Sequence, residues 1–368
     1  MQQQILIIVF VILCFVSVGY GYNLTESCTI NEFSQVDKIV KSCKNIVVEN
    51  LSVPAGNTLN LHLQTGSTLT FKGKTTFGSG VQWDGPLISI SGQGIHVYGA
   101  SGSVLDGQGP HYWDGKGGSG TRKPRFIKIN ANGGSTFQGI HLLNCPINCV
   151  SLSGSKDMTI RGWNIDCSAG DKNALGHNTD GFDMSSVENI IIENSVVKNQ
   201  DDCVAVNYGK NLHISNLNCS GGHGLSLSVG MNKIDPSVNV VSNVTFTDCS
   251  VTHSRNGIHV KTHRDGTTGY ISDVTYNNIH LSSISYYGVN VQQDYQDGGS
   301  TGHAGNNIQI KNLNLHNVQG TMTGSSSMPV YILCGSGSCS NFNWNEVSIT
   351  GNKKHSSCNY HPNGYTCK

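Results

Sequence analysis

A chain of 368 residues carries 23 Lys plus Arg against 23 Asp plus Glu, and charged residues make up only 12% of it, beside 45 Gly and 8 Pro. This excludes coiled coil, collagen and charge-driven disorder, and without a clustered basic block it excludes nucleic-acid binding through a phosphate footprint. The 15 His turn a neutral chain cationic in mild acid, which suits a polyanionic partner.

Ile5 to Val18 form one apolar run, followed by Gly19-Tyr20-Gly21. The run is short for a membrane span and has the shape of a signal peptide, with an uncleaved anchor as the alternative. Residues 1–21 are expected to be removed, and residues 22–368 to form one secreted, extracellular domain without membrane attachment. Of the 13 cysteines, Cys14 leaves with the leader, and the even remainder in an oxidising compartment reads as disulfides. Asn23, Asn50, Asn218 and Asn243 begin glycosylation acceptor sequences.

Glu32 to Lys44 places Phe33, Val36, Ile39 and Val40 at helical spacing. Beyond Asn57 the chain keeps producing short period-two segments broken by Gly, Asn and Ser: Leu59 to Leu63, Ile88 to Ile90, Phe126 to Ile129, Val150 to Leu152. Phe182, Val204, Leu225, Ile258 and Val289 register as equivalent positions in later copies, and second strands opening at Asn189, Asn211, Asn243 and Asn307 recur between them. Repeats of this length read as coils of an all-β parallel solenoid, with loop insertions bordering a groove and the early helix capping the open end. The alternative is an antiparallel sandwich, which predicts hairpins between neighbours.

Residues at one offset in successive coils stack about 4.8 Å apart. Two positions before the aligned residues lie Asp180, Asp202, His223, Asn256 and Tyr287, with Asp201 beside Asp202 and with His259 and Lys261 one coil beyond His223. Gathered carboxylates require a raised pKa on one member, and an acid beside a base is what glycoside hydrolysis uses.

Asn178-Thr179-Asp180-Gly181, Gln200-Asp201-Asp202-Cys203, Gly222-His223-Gly224 and Gln293-Asp294-Tyr295 resemble the signature motifs of the polygalacturonases, pectin-cleaving glycoside hydrolases with a right-handed parallel β-helix. Asp106 to Gly109 and Trp113 to Gly115 are similar to that family too, so the likeness covers nearly all of residues 22–368. The resemblance implies hydrolysis of α-1,4-galacturonan with inversion, although coil spacing of ~5 Å between carboxylates by itself points to retention. It implies Asp201 as general acid, Asp180 and Asp202 activating water, and His223 keeping the acid protonated. It further implies Asn178, Lys261 and Tyr295 as substrate-binding residues and four disulfides, Cys28–Cys43, Cys203–Cys219, Cys334–Cys339 and Cys358–Cys367.

Where the family pattern has Arg, this chain has His259, which is expected to substitute by protonation in acid. The expected product is a monomeric, endo-acting enzyme on pectin, with polygalacturonase-inhibiting proteins as further partners. The alternatives are a pectin-binding pseudoenzyme or decoy, and a hydrolase of a substituted galacturonan.

Among the remaining residues, Asp183 reads as a turn-ladder residue and His177 and His263 as histidines adjoining motif positions. Cys145 and Cys167 lie one coil step apart and are expected to bridge adjacent rungs. The segment from Cys145 to Cys149 lacks the second half-site of structural zinc, and Gly92-Gln93-Gly94 lacks the spacing of a dinucleotide fingerprint, so neither metal nor cofactor is expected.

Overall fold

The computed structural model describes residues 28–296, 298–351 and 353–368. The leader reading of residues 1–21, Cys14 and the acceptor Asn23 lie outside the described residues. Among the described residues no helix is long and apolar enough to cross a membrane.

The aligned apolar positions form one column in the core. The strands that carry it are β1 (Leu59–His62), β2 (Ile88–Gln93), β3 (Ile127–Asn132), β4 (Val150–Ser153) and β5 (Phe182–Lys198). They continue as β6 (Val204–Ser220), β7 (Leu225–Val229), β8 (Asn256–His263), β9 (Tyr287–Gln296) and β10 (Met328–Leu333). Each pairs with the next in parallel, so that Leu59, Ile88, Ile127, Val150 and Phe182 stack in turn. Val204, Leu225, Ile258, Val289 and Val330 extend the same column. All ten are buried, at about 1.5–3 kcal/mol of apolar burial each. The uniform parallel pairing and right-handed crossover rule make this a right-handed parallel β-helix. The antiparallel sandwich is excluded, since the one antiparallel pair among the described strands is β9 with Gly299–Ser300.

The corners of each coil need a residue in the left-handed region, and Asn tolerates it. Asn189, Asn211 and Asn243 have φ of 54°, 56° and 54°. Their amides form a ladder, Asn211 donating to Asn189 at 2.9 Å and Asn243 to Asn211 at 2.9 Å. The next members are Asp273 and Asn312, joined at 2.7 Å. Asn307 therefore does not continue this row: the strand it precedes pairs through Ile308 with Gly269, four residues before the equivalent corner at Asp273. The three described acceptor asparagines are also ladder members. Asn50 Oδ1 accepts from the Lys74 amide at 3.1 Å, Asn218 Oδ1 accepts from Ser250 Oγ at 2.6 Å, and Asn243 bonds Asn211 as above.

At the N-terminal end a 3₁₀ turn, Phe33–Gln35, leads into α1 (Val36–Ser42), which buries Val36, Ile39 and Val40 against the first coils. Gln64 Nε2 holds its C-terminus by donating to Lys41 O at 2.9 Å and Cys43 O at 3.2 Å. The opposite end is covered by Phe342 against Tyr360 and Trp344 against Tyr365, with ring centroids 4.7 and 5.5 Å apart. Both ends of the apolar column are thus shielded from water.

The structure pairs Cys28–Cys43, Cys203–Cys219, Cys334–Cys339 and Cys358–Cys367. The rung-to-rung bridge between Cys145 and Cys167 is not formed. Cys145 pairs instead with Cys149 across a tight turn, and Cys167 is a free buried thiol 3.7 Å from Cys149 Sγ, as Cys249 is a free buried thiol elsewhere. The turn sets the Cα atoms of Cys145 and Cys149 5.3 Å apart, within disulfide reach.

Removing a column member should cost more than removing a surface residue of the same type. Ile258→Ala is expected to destabilise by about 2–5 kcal/mol in denaturant unfolding, and Ile191→Ala, whose side chain is 39% exposed, by less than about 1 kcal/mol.

Candidate active site

The register that stacks the core also stacks the offset before it. Gly181 N donates to Asp202 O and His223 N to Asp201 O, each at 2.9 Å, which sets Asp180, Asp202 and His223 on adjacent rungs. Three devices hold the Gln200-Asp201-Asp202 turn. Asn199 Nδ2 lies 2.9 Å from Thr179 O, 3.0 Å from Asp201 O and 2.9 Å from Asp202 O. Gln200 Nε2 donates to Cys167 O at 2.7 Å and its Oε1 accepts from Thr179 Oγ1 at 2.8 Å. The Cys203–Cys219 disulfide fixes the following strand. Asn199 carries no motif signal in the sequence, because its work is done on backbone groups of a neighbouring coil.

His223 sits between two glycines for steric reasons. Gly224 has φ of +92°, and a Cβ there would meet the carbonyl oxygens of Asn256 and Gly257; a Cβ at Gly222 would meet Asp201 O. The chain can then pass close enough for His223 Nδ1 to lie 3.0 Å from Asp201 Oδ1.

Asp201 accepts from every side: His223, its neighbour's amide (Asp202 N, 2.8 Å) and Asn178 Nδ2 at 2.9 Å on the other oxygen. Burial pushes its carboxyl up, but the His223 hydrogen bond and the His223 and Lys261 charges outweigh this and hold it low, at about 2. His223 moves the opposite way: burial would lower it, and the Asp201 hydrogen bond and carboxylate charges raise it above its ordinary value. The two groups form an ion pair holding one mobile proton. Asn178 is exposed and is itself held by Gly118 N, which donates to its Oδ1 at 2.9 Å.

The raised carboxyls are Asp180 and Asp183. Burial, then Asp183, Asp201 and Asp202, push Asp180 well above the usual range, and burial raises Asp183 to about 7. Asn148 Nδ2 donates to both, at 3.2 and 2.7 Å. Asp183 is therefore not a turn-ladder residue. It stands one offset after Phe182, in the row of Ala205, Ser226, His259 and Asn290, and that row was the overlooked signal.

Lys261 Nζ is 2.9 Å from Asp202 Oδ2 and 5.0 Å from the Tyr295 ring centroid. Burial would lower its pKa, but Asp202 and Asp201 raise it beyond its ordinary value. Ser226 Oγ donates to the other Asp202 oxygen at 2.6 Å. Asp201, Asp202 and His223 bring ligand-type atoms within 4.8 Å of one another, but Lys261 and Ser226 already use both Asp202 oxygens.

His259 is buried with only neutral partners, Asn256 Nδ2 at 3.5 Å and Gln292 Oε1 at 3.4 Å. Burial first, then the Lys261 and His223 charges, drive its pKa well below the ordinary value. The expectation that His259 becomes a cation in mild acid is overturned: it is a neutral polar wall. His263 packs edge-on to Tyr295 at 5.2 Å, and His177 Nε2 is 3.1 Å from Ala174 O. A cavity of about 470 Å³ joins Asn178, Asp201 and His223 at one end to His259, Lys261, Tyr295, Arg255 and Tyr286 at the other.

Residues 43–367 match glycosyl hydrolases family 28. The chain belongs to that family. It is 54% identical over 345 residues to a polygalacturonase of Phaedon cochleariae, covering 93% of this chain and 94% of the relative. It is 45% identical to a polygalacturonase of Cochliobolus carbonum, covering 94% of each. The solved endopolygalacturonase I from Stereum purpureum, complexed with two galacturonate, superposes with a TM-score of 0.79 at 37% identity, covering 89% of this chain and 96% of that one. Family 28 thus accounts for the β-helix and for nearly the whole described chain.

The buried carboxyls make a prediction about stability. Asp180 and Asp183 keep their protons to higher pH when folded than the ordinary 3.8. Groups raised in this way stabilise fully below the unfolded pKa, and the contribution is lost as pH rises through the folded one. Asp201 acts oppositely, but its window, from 3.8 down to about 2, lies below. Their contribution to the melting temperature should therefore fall between about pH 4 and about pH 7, while His259, whose pKa folding lowers, contributes oppositely below its ordinary 6.5. Asp183→Asn, which retains an acceptor for Asn148, should flatten the fall; a steeper fall in the variant would contradict the assignment.

Proposed function

We propose that this chain is a secreted, monomeric, inverting endopolygalacturonase that hydrolyses α-1,4 bonds of the galacturonan in pectin. The observation that carries the reading is the placement of Asp180, Asp202 and His223 on adjacent rungs with Asp201 beside Asp202, Asp201 and His223 lining the cavity, in a chain whose relatives are named polygalacturonases. Asp201 protonates the glycosidic oxygen. The proton is held by the Asp201–His223 pair, so His223 stores it until the leaving oxygen develops charge. Asp180 and Asp202 hold the water on the opposite face and take up its proton. Asp202 is positioned for this by Lys261 and Ser226, and Asn178 orients the second oxygen of Asp201.

Attack from the face opposite the leaving group gives the β-anomer, and a double displacement would give the α-anomer. The leader reading of residues 1–21 supports export, and the open groove supports endo action and contact with inhibitor proteins that cover it.

The test combines stereochemistry with one substitution. Proton NMR of the first product of demethylated polygalacturonate should show the β-anomer, and an α-anomer would remove the inverting assignment. Asp201→Asn should lower kcat by about 10²–10⁴-fold while oligogalacturonate still binds. Unchanged turnover would remove Asp201 from the acid role, and binding without turnover by the wild-type chain would replace the enzyme with a pectin-binding protein.

A further inference from the structure

Among the described residues that line the cavity, most of the cationic or potentially cationic side chains are committed. Lys261 pairs with Asp202 and His223 with Asp201, while His259 is neutral and His177 bonds a carbonyl. Arg255 differs. It is exposed, lines the cavity, and lies 5.1 Å over the centroid of Tyr286 with no carboxylate partner. A cation–π contact with a ring holds a guanidinium in place while its N–H donors can still reach a carboxylate.

Its position follows from the register. Arg255 N donates to Gly222 O at 2.8 Å and Tyr286 N to Arg255 O at 2.9 Å, while His223 N bonds Asp201 O. Asp201, Gly222, Arg255 and Tyr286 hold the same offset, three residues before Val204, Leu225, Ile258 and Val289. Arg255 is thus two rungs from the acid, roughly 10 Å along the groove. Gly222 places no side chain between them. The wall beside Arg255, with Asn256, Asn290 and Gln292, is neutral and polar.

We propose that Arg255, held over the Tyr286 ring, is a specificity-determining residue that grips the carboxylate of a uronate ring displaced from the scissile bond. The inference deepens the proposed function and rests on it for the substrate class. It also moves the cationic contact of this groove away from position 259, which is uncharged, to an exposed position on the rim. Arg255 touches no reacting atom in this arrangement. It acts on binding and on the discrimination between free and methyl-esterified rings.

The experiment compares wild type, Arg255→Lys and Arg255→Gln on demethylated polygalacturonate and on highly methyl-esterified pectin, with pentagalacturonate calorimetry on Asp201→Asn with and without Arg255→Gln. Arg255→Gln should raise KM on the demethylated polymer about tenfold, affect kcat less, weaken the salt dependence of KM, and leave the melting temperature unchanged. Arg255→Lys should fall between. On the esterified polymer the difference should shrink to about twofold or less. Equal losses on both polymers, or a wild-type KM and salt dependence in Arg255→Gln, would overturn the inference while hydrolysis itself stands. If the wild type releases no reducing ends but pentagalacturonate binding still depends on Arg255, the hydrolase reading falls and the inference stands. If the wild type releases no reducing ends and pentagalacturonate binds neither it nor Asp201→Asn, both fall.

Discussion

Parallel pairing without slip between adjacent coils is the constraint on which this molecule depends. The column from Leu59 to Val330 is apolar at every rung, and a one-residue slip would turn each core side chain to the outer face. A register that strict has a second effect. Any offset outside the core is copied from coil to coil as faithfully as the core, so side chains far apart in the chain are set a rung apart. Asp180, Asp202 and His223 are neighbours because Phe182, Val204 and Leu225 are.

Stacking carboxyls in this way is unfavourable unless protons or cations answer the charge. Of the four acids, Asp201 and Asp202 have a cation, His223 and Lys261, and Asp180 and Asp183 have only the Asn148 amide between them. The cluster therefore divides into a half answered by cations and a half, Asp180 and Asp183, that tends to keep its protons. The proton for the leaving oxygen is carried on the side answered by cations, on His223 paired with Asp201. The apolar column beneath pays for the assembly, and the polar corner ladders keep it from sliding.

The parts legible in the sequence were those set by periodicity and by motif. The five later column positions were placed correctly because their alternation is unbroken, and the helix at Val36–Ser42 because its apolar spacing is unambiguous. Four disulfides follow the pattern of the family. Contacts decided by three-dimensional competition were not legible. Cys145 pairs with Cys149 rather than Cys167 because a tight turn sets the two within disulfide reach. Asn307 resembled a ladder corner, but the long strand Ile308–Met322 runs five residues further before it bends at Asn312. Turn ladders are the commoner use of residues like Asp183, and only its row with Ser226 and His259 sets it apart from them.

His259 shows how a substitution's meaning depends on burial. As a letter in a motif it is a cation lost in part and recoverable in acid. Enclosed by Asn256, Gln292 and the positive charge of Lys261, it cannot take a proton cheaply. A groove built for a polyanion then has one fully buried cation tied to its own acid and one neutral imidazole where charge would be useful. The attraction must come from the rim, where water still screens a cation but does not forbid it, and Arg255 on Tyr286 has that place. A rim cation is weaker per contact than a buried one. It demands no desolvated partner while the groove is empty, and so it avoids the cost of an unpaired buried charge.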